Sequence, residues 1–181
     1  MTNLSVSPMK ENEIQYMVDY WFNCSNADLD RMGVDKAKLS SKEKFHNDIL
    51  ASFKHPLEDC KSFYMIWYIN NEPVGHNAFR DIVKGELASM HLHMWVDKYR
   101  GKGFGAKLFC LSALEFYKLY EPKLILCEPA FHNPMPNRML QKIGYKSWRT
   151  NFSKTGYISA ICENTSYIID KETSLNYLNR N

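Results

Sequence analysis

The stretch Trp95-Val96-Asp97-Lys98-Tyr99-Arg100-Gly101-Lys102-Gly103-Phe104-Gly105-Ala106 joins an apolar run to a run of helical periodicity through three glycines. Glycine lets backbone N–H groups approach a ligand with no Cβ in the way. A helix N-terminus then offers unpaired N–H donors and a partial positive charge, and the two together make a phosphate or pyrophosphate cradle. Arg100 and Lys102 add fixed positive charge there, unless they are simply solvated. A P-loop needs Lys-Ser or Lys-Thr after its second glycine, and Gly105-Ala106-Lys107 does not supply it. A dinucleotide fingerprint needs a third glycine, where Ala106 and Leu108 stand instead. What remains is R-x-x-G-x-G, met by Arg100, Gly103 and Gly105, or a glycine-rich connector with no ligand.

Upstream, His91 and His93 are two residues apart in an extended run, so both side chains share one face with Trp95. An imidazole with a pKa near 6.5 suits proton transfer at neutral pH. The same pair also fits a half-buried strand face with satisfied imidazoles. With Glu128 it would make a metal-ligand set, a reading that carries less weight. Glu128 ends a later apolar run, where a desolvated carboxylate would have a raised pKa. A charged strand end is the plain alternative. His76 is a weaker candidate beside Gly75.

The elements that must position these groups are readable from periodicity. Glu11 to Phe22 reads as an amphipathic helix with Ile14, Met17, Val18 and Trp21 on one face. Asp28 to Met32 reads as a helical turn stopped by Gly33. Ser40 with Glu43 resembles a capping box for a helix to about Phe53, which Pro56 closes. Ser62 to Ile69 is a strand, Asn70-Asn71-Glu72-Pro73 a turn, and Val74 to Ile82 the returning strand. Lys84-Gly85 turns again into a third strand, Glu86 to Val96. After the glycines, Phe104, Leu108, Leu111, Leu114 and Tyr117 line one helix face, and Pro122 ends it. Lys123 to Cys127 follows as a buried strand, so the strand–helix–strand order implies a parallel pair with a right-handed crossover. A helix from about Pro136 to Ile143 stops at Gly144, and the tail adds strands near Trp148 to Ser153 and Ser159 to Ile169.

Composition narrows the class. With 181 residues, 45% hydrophobic and 24% charged, the chain reads as one globular domain over residues 1–181. A formal net charge of +3, from 23 basic and 20 acidic side chains, argues against nucleic acid or an anionic membrane as partner. Five widely spaced cysteines with no C-x-x-C pair read as free thiols in a reducing cytosol. The first ten residues hold no apolar signal core, and no apolar run approaches a membrane span of about 20 residues. A cytoplasmic protein, monomer or homodimer, is the expectation.

R-x-x-G-x-G between strand and helix resembles the pyrophosphate loop of the GNAT (GCN5-related N-acetyltransferase) superfamily, and a second element agrees. Asn133 is followed by Asn137, Leu140, Lys142, Gly144 and Tyr145 at that superfamily's spacing. The resemblance covers Ser62 to Tyr145, and the Asp28 to Asp35 stretch resembles a small bacterial branch without an assigned substrate. It implies a mixed, mostly antiparallel α/β sheet of six to seven strands, flanked by helices and splayed between the fourth and fifth strands. It implies acetyl-coenzyme A as co-substrate, held by Met94, Trp95, Val96, Arg100, Gly101, Lys102, Gly103, Phe104, Gly105, Ala106 and Asn133. Backbone amides of Met94 to Val96 would stabilise the oxyanion, and Glu128, His93 or His91 would act as general base. No metal is implied. The tyrosine that often protonates the thiolate is replaced by Leu140, and Tyr145 and Tyr99 are near in sequence only. The acceptor is a small-molecule or peptide amine; a protein N-acetyltransferase and a non-catalytic acyl-coenzyme A sensor are the alternatives.

Overall fold

The computed structural model describes residues 2–56 and 58–181. Seven strands form one sheet: β1 (Leu4–Pro8), β2 (Ser62–Ile69), β3 (Glu72–Val83), β4 (Leu87–Met94), β5 (Leu124–Cys127), β6 (Ser147–Ser153) and β7 (Cys162–Ile168). Their spatial order is β1-β2-β3-β4-β5-β7-β6, and all neighbours are antiparallel except β4 and β5. The meander and the parallel crossover are thus as read from the sequence.

Six helices cover the sheet: α1 (Ile14–Asn23), α2 (Asn26–Arg31), α3 (Lys42–Ser52), α4 (Phe104–Tyr120), α5 (Pro134–Ile143) and α6 (Lys171–Arg180). The core has two parts, one on each face. On one face α4 packs Phe109, Ala113, Phe116 and Tyr120 against Trp67, Phe79, Met90 and Ile125. The Phe79 and Phe116 rings stack at 3.9 Å. On the other, α1 and α3 pack Ile14, Met17, Trp21 and Ile49 against Tyr64, Ile66 and Ala78. The Trp67 indole donates to Asn77 Oδ1 at 2.7 Å, and Asn77 Nδ2 donates to the His91 carbonyl at 2.8 Å, so a buried amide fixes the middle of β4.

Several local expectations are corrected. The buried face of α4 runs through Phe109, Ala113, Phe116 and Tyr120; of the predicted face only Leu108 is fully buried. The helix is apolar nearly all round, so periodicity did not single out the deeper side. Ser41, not Ser40, caps α3 by accepting from the Lys44 N–H at 3.2 Å. The third predicted strand ends at Met94 rather than Val96, α5 starts at Pro134, and the last strand begins at Cys162. Strand β1 and helix α6 are additions: both are polar, and only their pairing with β2 and packing on α4 orders them.

Candidate active site

The site follows from the failure of one pairing. β4 and β5 are hydrogen-bonded only where Leu87, Ala88 and Ser89 face Leu124, Ile125 and Leu126. β5 then turns to β7, pairing Cys127 with Tyr167, and the rest of β4 has no partner on that side. A cavity of about 1010 Å³ runs through the gap.

One lobe lies at the start of α4. Gly101 and Gly103 have φ of +73° and +83°, the left-handed region that a glycine adopts without strain. Gly103 is the N-cap of α4 with no side-chain cap, and no atom lies within 4 Å of where a Cβ at Gly101 or Gly103 would sit. The first N–H groups of a 17-residue helix are therefore open to an anion. Gly101, Gly103, Gly105 and Ala106 line the cavity, as do Arg138 and Lys142, one turn apart on α5. The sequence reading did not single out that basic pair, although its i, i+4 spacing next to Asn133 was visible. Arg100 is less free than expected: it donates to the Met94 carbonyl at 2.7 and 3.2 Å and pairs with Asp97 at 2.7 Å. It braces the loop. Lys102, Trp95, Val96 and the Phe104 side chain do not line this cavity; Trp95 and Val96 border a separate shallow groove.

The backbone groups expected to stabilise an oxyanion differ in what they face. The Trp95 N–H donates to the Val74 carbonyl at 2.8 Å and is already used. In an antiparallel ladder, residues of one parity bond to the same neighbour. His91, His93 and Trp95 therefore face β3, while Leu92 and Met94 turn their backbone groups to the gap. The Met94 carbonyl is taken by Arg100, which leaves the Met94 N–H and the Leu92 groups.

The other lobe is floored by His76, Ala78, Arg80, His91 and His93, and is walled by α1, α3 and the 154–159 loop. The Asp28 to Asp35 segment lines it too and is tied to that loop: the Asp35 N–H donates to Ile158 and the Ala160 N–H to Gly33, both at 2.8 Å. His93 Nδ1 lies 3.2 Å from the Tyr20 hydroxyl, and its ring stacks on His76 at 4.9 Å. Trp95 Nε1 donates to His76 Nδ1 at 2.8 Å, and so holds His76 in the Nε2–H tautomer. The imidazoles do not titrate near neutrality as expected. Burial, with the nearby Arg80 charge, lowers His91 to about 4. Burial, then His91, Arg100 and Arg31, lowers His93 to about 3.

Glu128 lies just past the end of β5 and lines the cavity at the gap. Its Oε1 accepts from the Ser166 hydroxyl on β7, which leaves the second oxygen to the cavity. Among the described residues no group of three or more His, Cys, Asp or Glu could hold a metal ion, so His91, His93 and Glu128 do not form the ligand set considered above. The tyrosines near in sequence are engaged elsewhere: Tyr99 donates to Glu72 at 2.8 Å, and Tyr145 meets Ser174 at 2.6 Å in the core. Asn133 lines the cavity and accepts from Arg31 at 3.1 Å.

No protein-family model and no curated protein matches the chain. Solved structures do. A chimera of spermidine N-acetyltransferase from Vibrio cholerae and hSSAT is 14% identical, with a TM-score of 0.72 over 96% of this chain and 98% of that one. An aminoglycoside acetyltransferase in complex with coenzyme A is 14% identical, with a TM-score of 0.70 over 96% and 98%. A ribosomal L7/L12 alpha-N-protein acetyltransferase, also with coenzyme A, is 11% identical, with a TM-score of 0.72 over 93% and 95%. The fold is therefore that of the GNAT acetyltransferases.

Proposed function

We propose that the chain is an N-acetyltransferase that moves an acetyl group from acetyl-coenzyme A to a primary amine. The observation that carries this reading is the continuity of the cavity from the uncapped start of α4, through the β4–β5 gap, to a second lobe on the other face. Two substrates entering from opposite faces of the sheet would meet at the gap. The neighbours of the same fold support the reaction class, and their differing acceptors leave the choice of amine to this chain's own residues.

The residues fit the co-substrate. Its pyrophosphate would lie on the N–H groups of Phe104, Gly105 and Ala106, with Arg138 and Lys142 beside it. Acetyl-coenzyme A supplies a thioester; the chain supplies alignment and charge. The Leu92 and Met94 backbone edge orients the arm that carries the thioester, and the Met94 N–H is placed to stabilise its oxygen as negative charge develops. The amine nitrogen bonds to the acyl carbon, the carbon–sulfur bond breaks, and the nitrogen's proton passes to a base. Glu128 is that base, directly or through water. His91 and His93, held neutral, are poor proton acceptors and act by lining the acceptor lobe. The 28–35 segment, tied to the 154–160 loop along one wall of the lobe, favours a small molecule over a protein chain end.

Calorimetric titration with coenzyme A, followed by an amine panel with thiol release as readout, tests the reading. Tight binding with no amine-dependent release would make the chain a sensor instead.

A further inference from the structure

The acceptor lobe is electrically uneven. At the gap, Glu128 presents a carboxylate with no cationic partner within 4.0 Å among the described residues. At the opposite end stands Arg80, held by its strand position across from Ser62 and Ser89. Its Nη1 donates to the Ser62 hydroxyl at 2.8 Å, and its guanidinium lies over the Tyr64 ring at 4.9 Å. These contacts orient the cation and do not neutralise it. Among the described residues no carboxylate comes within 4.0 Å of Arg80. Asp81 and Asp48 also line the cavity, but Asp81 is exposed, Asp48 is engaged by Lys44 at 2.9 Å, and neither pairs with Arg80. A guanidinium carries five N–H donors, so most of this fork is free. Beside it, His91 Nε2 is buried with no hydrogen-bond partner, although His91 lines the same lobe. A charged fork and an unpaired imidazole nitrogen at one end of a lobe are the complement of an oxyanion.

We propose that Arg80, with His91, binds a carboxylate on the acceptor, so that the substrate is a zwitterionic amine: ammonium toward Glu128, carboxylate toward Arg80. The inference rests on the acetyl-transfer reading for the role of the amine, but the anion site can be measured without turnover. Spacing limits the length. Arg80 is level with Ser89, which is level with Leu126, and Glu128 stands two residues past Leu126 on the far side of β4. Two strand spacings of ~4.8 Å and two residues at ~3.4 Å put the two backbones about 12 Å apart, and the two charges of the substrate about 10 Å apart once the side chains reach inward. An ω-amino acid with a chain of octanoate length has this span.

The test compares ω-aminooctanoate with octylamine, which differ only in the carboxylate, by calorimetry on the full chain saturated with coenzyme A. The expected result is that the wild type binds ω-aminooctanoate at least about tenfold more tightly, since a charge-assisted pair is lost in octylamine. Arg80→Gln should bring the two ligands to parity while leaving coenzyme A affinity unchanged, and Arg80→Lys should keep part of the preference. Equal binding of the two by wild type overturns the proposal without any variant, as does a preference that survives Arg80→Gln, or no binding of either. If the preference is seen and vanishes in Arg80→Gln but neither compound nor any other amine is acetylated, the anion site stands and the acetyl-transfer reading fails.

Discussion

His93 Nδ1 sits 3.2 Å from the Tyr20 hydroxyl, tying the unpaired half of β4 to α1 across the acceptor lobe. Burial there, with the nearby His91, Arg100 and Arg31, keeps the imidazole neutral, with consequences for stability. Unfolded imidazoles take up a proton below about pH 6.5. In the folded chain His91 and His93 do so only near 4 and 3. Over that window the unfolded state binds more protons, so stability is full above about pH 6.5 and falls as the pH drops. Each group contributes up to about 1.4 kcal/mol per pH unit. Urea unfolding between neutral pH and the acid end of that range should show the decline, and His91→Gln or His93→Gln should each flatten it. An unchanged slope in both variants would show that these imidazoles are solvated.

The α4 cradle predicts a charge effect separable from shape. Gly103→Asp places a carboxylate where the pyrophosphate would lie, and the space around a Cβ there is empty. Acetyl-coenzyme A affinity should fall at least tenfold, about 1.4 kcal/mol. Gly103→Asn, nearly the same shape and tolerant of positive φ, should lose much less. Equal losses in the two variants, read by calorimetry, would assign the effect to backbone strain instead.

Arg100 should matter less. Its guanidinium is spent on the Met94 carbonyl and Asp97, so its role is to brace the loop. Arg100→Ala should weaken coenzyme A binding only a few-fold, since a half-exposed pair is worth roughly 0–1 kcal/mol. A loss as large as that of Gly103→Asp would reverse this ranking.

The frame of the site was legible in the sequence because its signals are local. The aromatic and β-branched run Ser62–Ile69, the turn Asn70-Asn71 and the glycines before Phe104 each specify their own backbone. What was not legible depends on which partners folding brings together. Whether the Trp95 N–H is free depends on Val74; whether Arg100 meets a phosphate depends on Met94 and Asp97. A neutral His93 cannot be told from a titrating one until Tyr20, Trp21 and His76 enclose it. Arg80 is a single basic residue in a strand, and its meaning comes from its having no paired carboxylate within 4.0 Å among the described residues.

Glu128 at the β4–β5 gap carries the central claim, and thiol release from acetyl-coenzyme A with an amine acceptor tests it most directly. The wild type should release thiol only when an amine is present. Glu128→Gln should keep coenzyme A affinity and lower kcat by roughly 10²–10⁴-fold. Wild-type kcat in a folded Glu128→Gln protein would contradict the account, and would leave a site that works by positioning an amine already neutral on arrival.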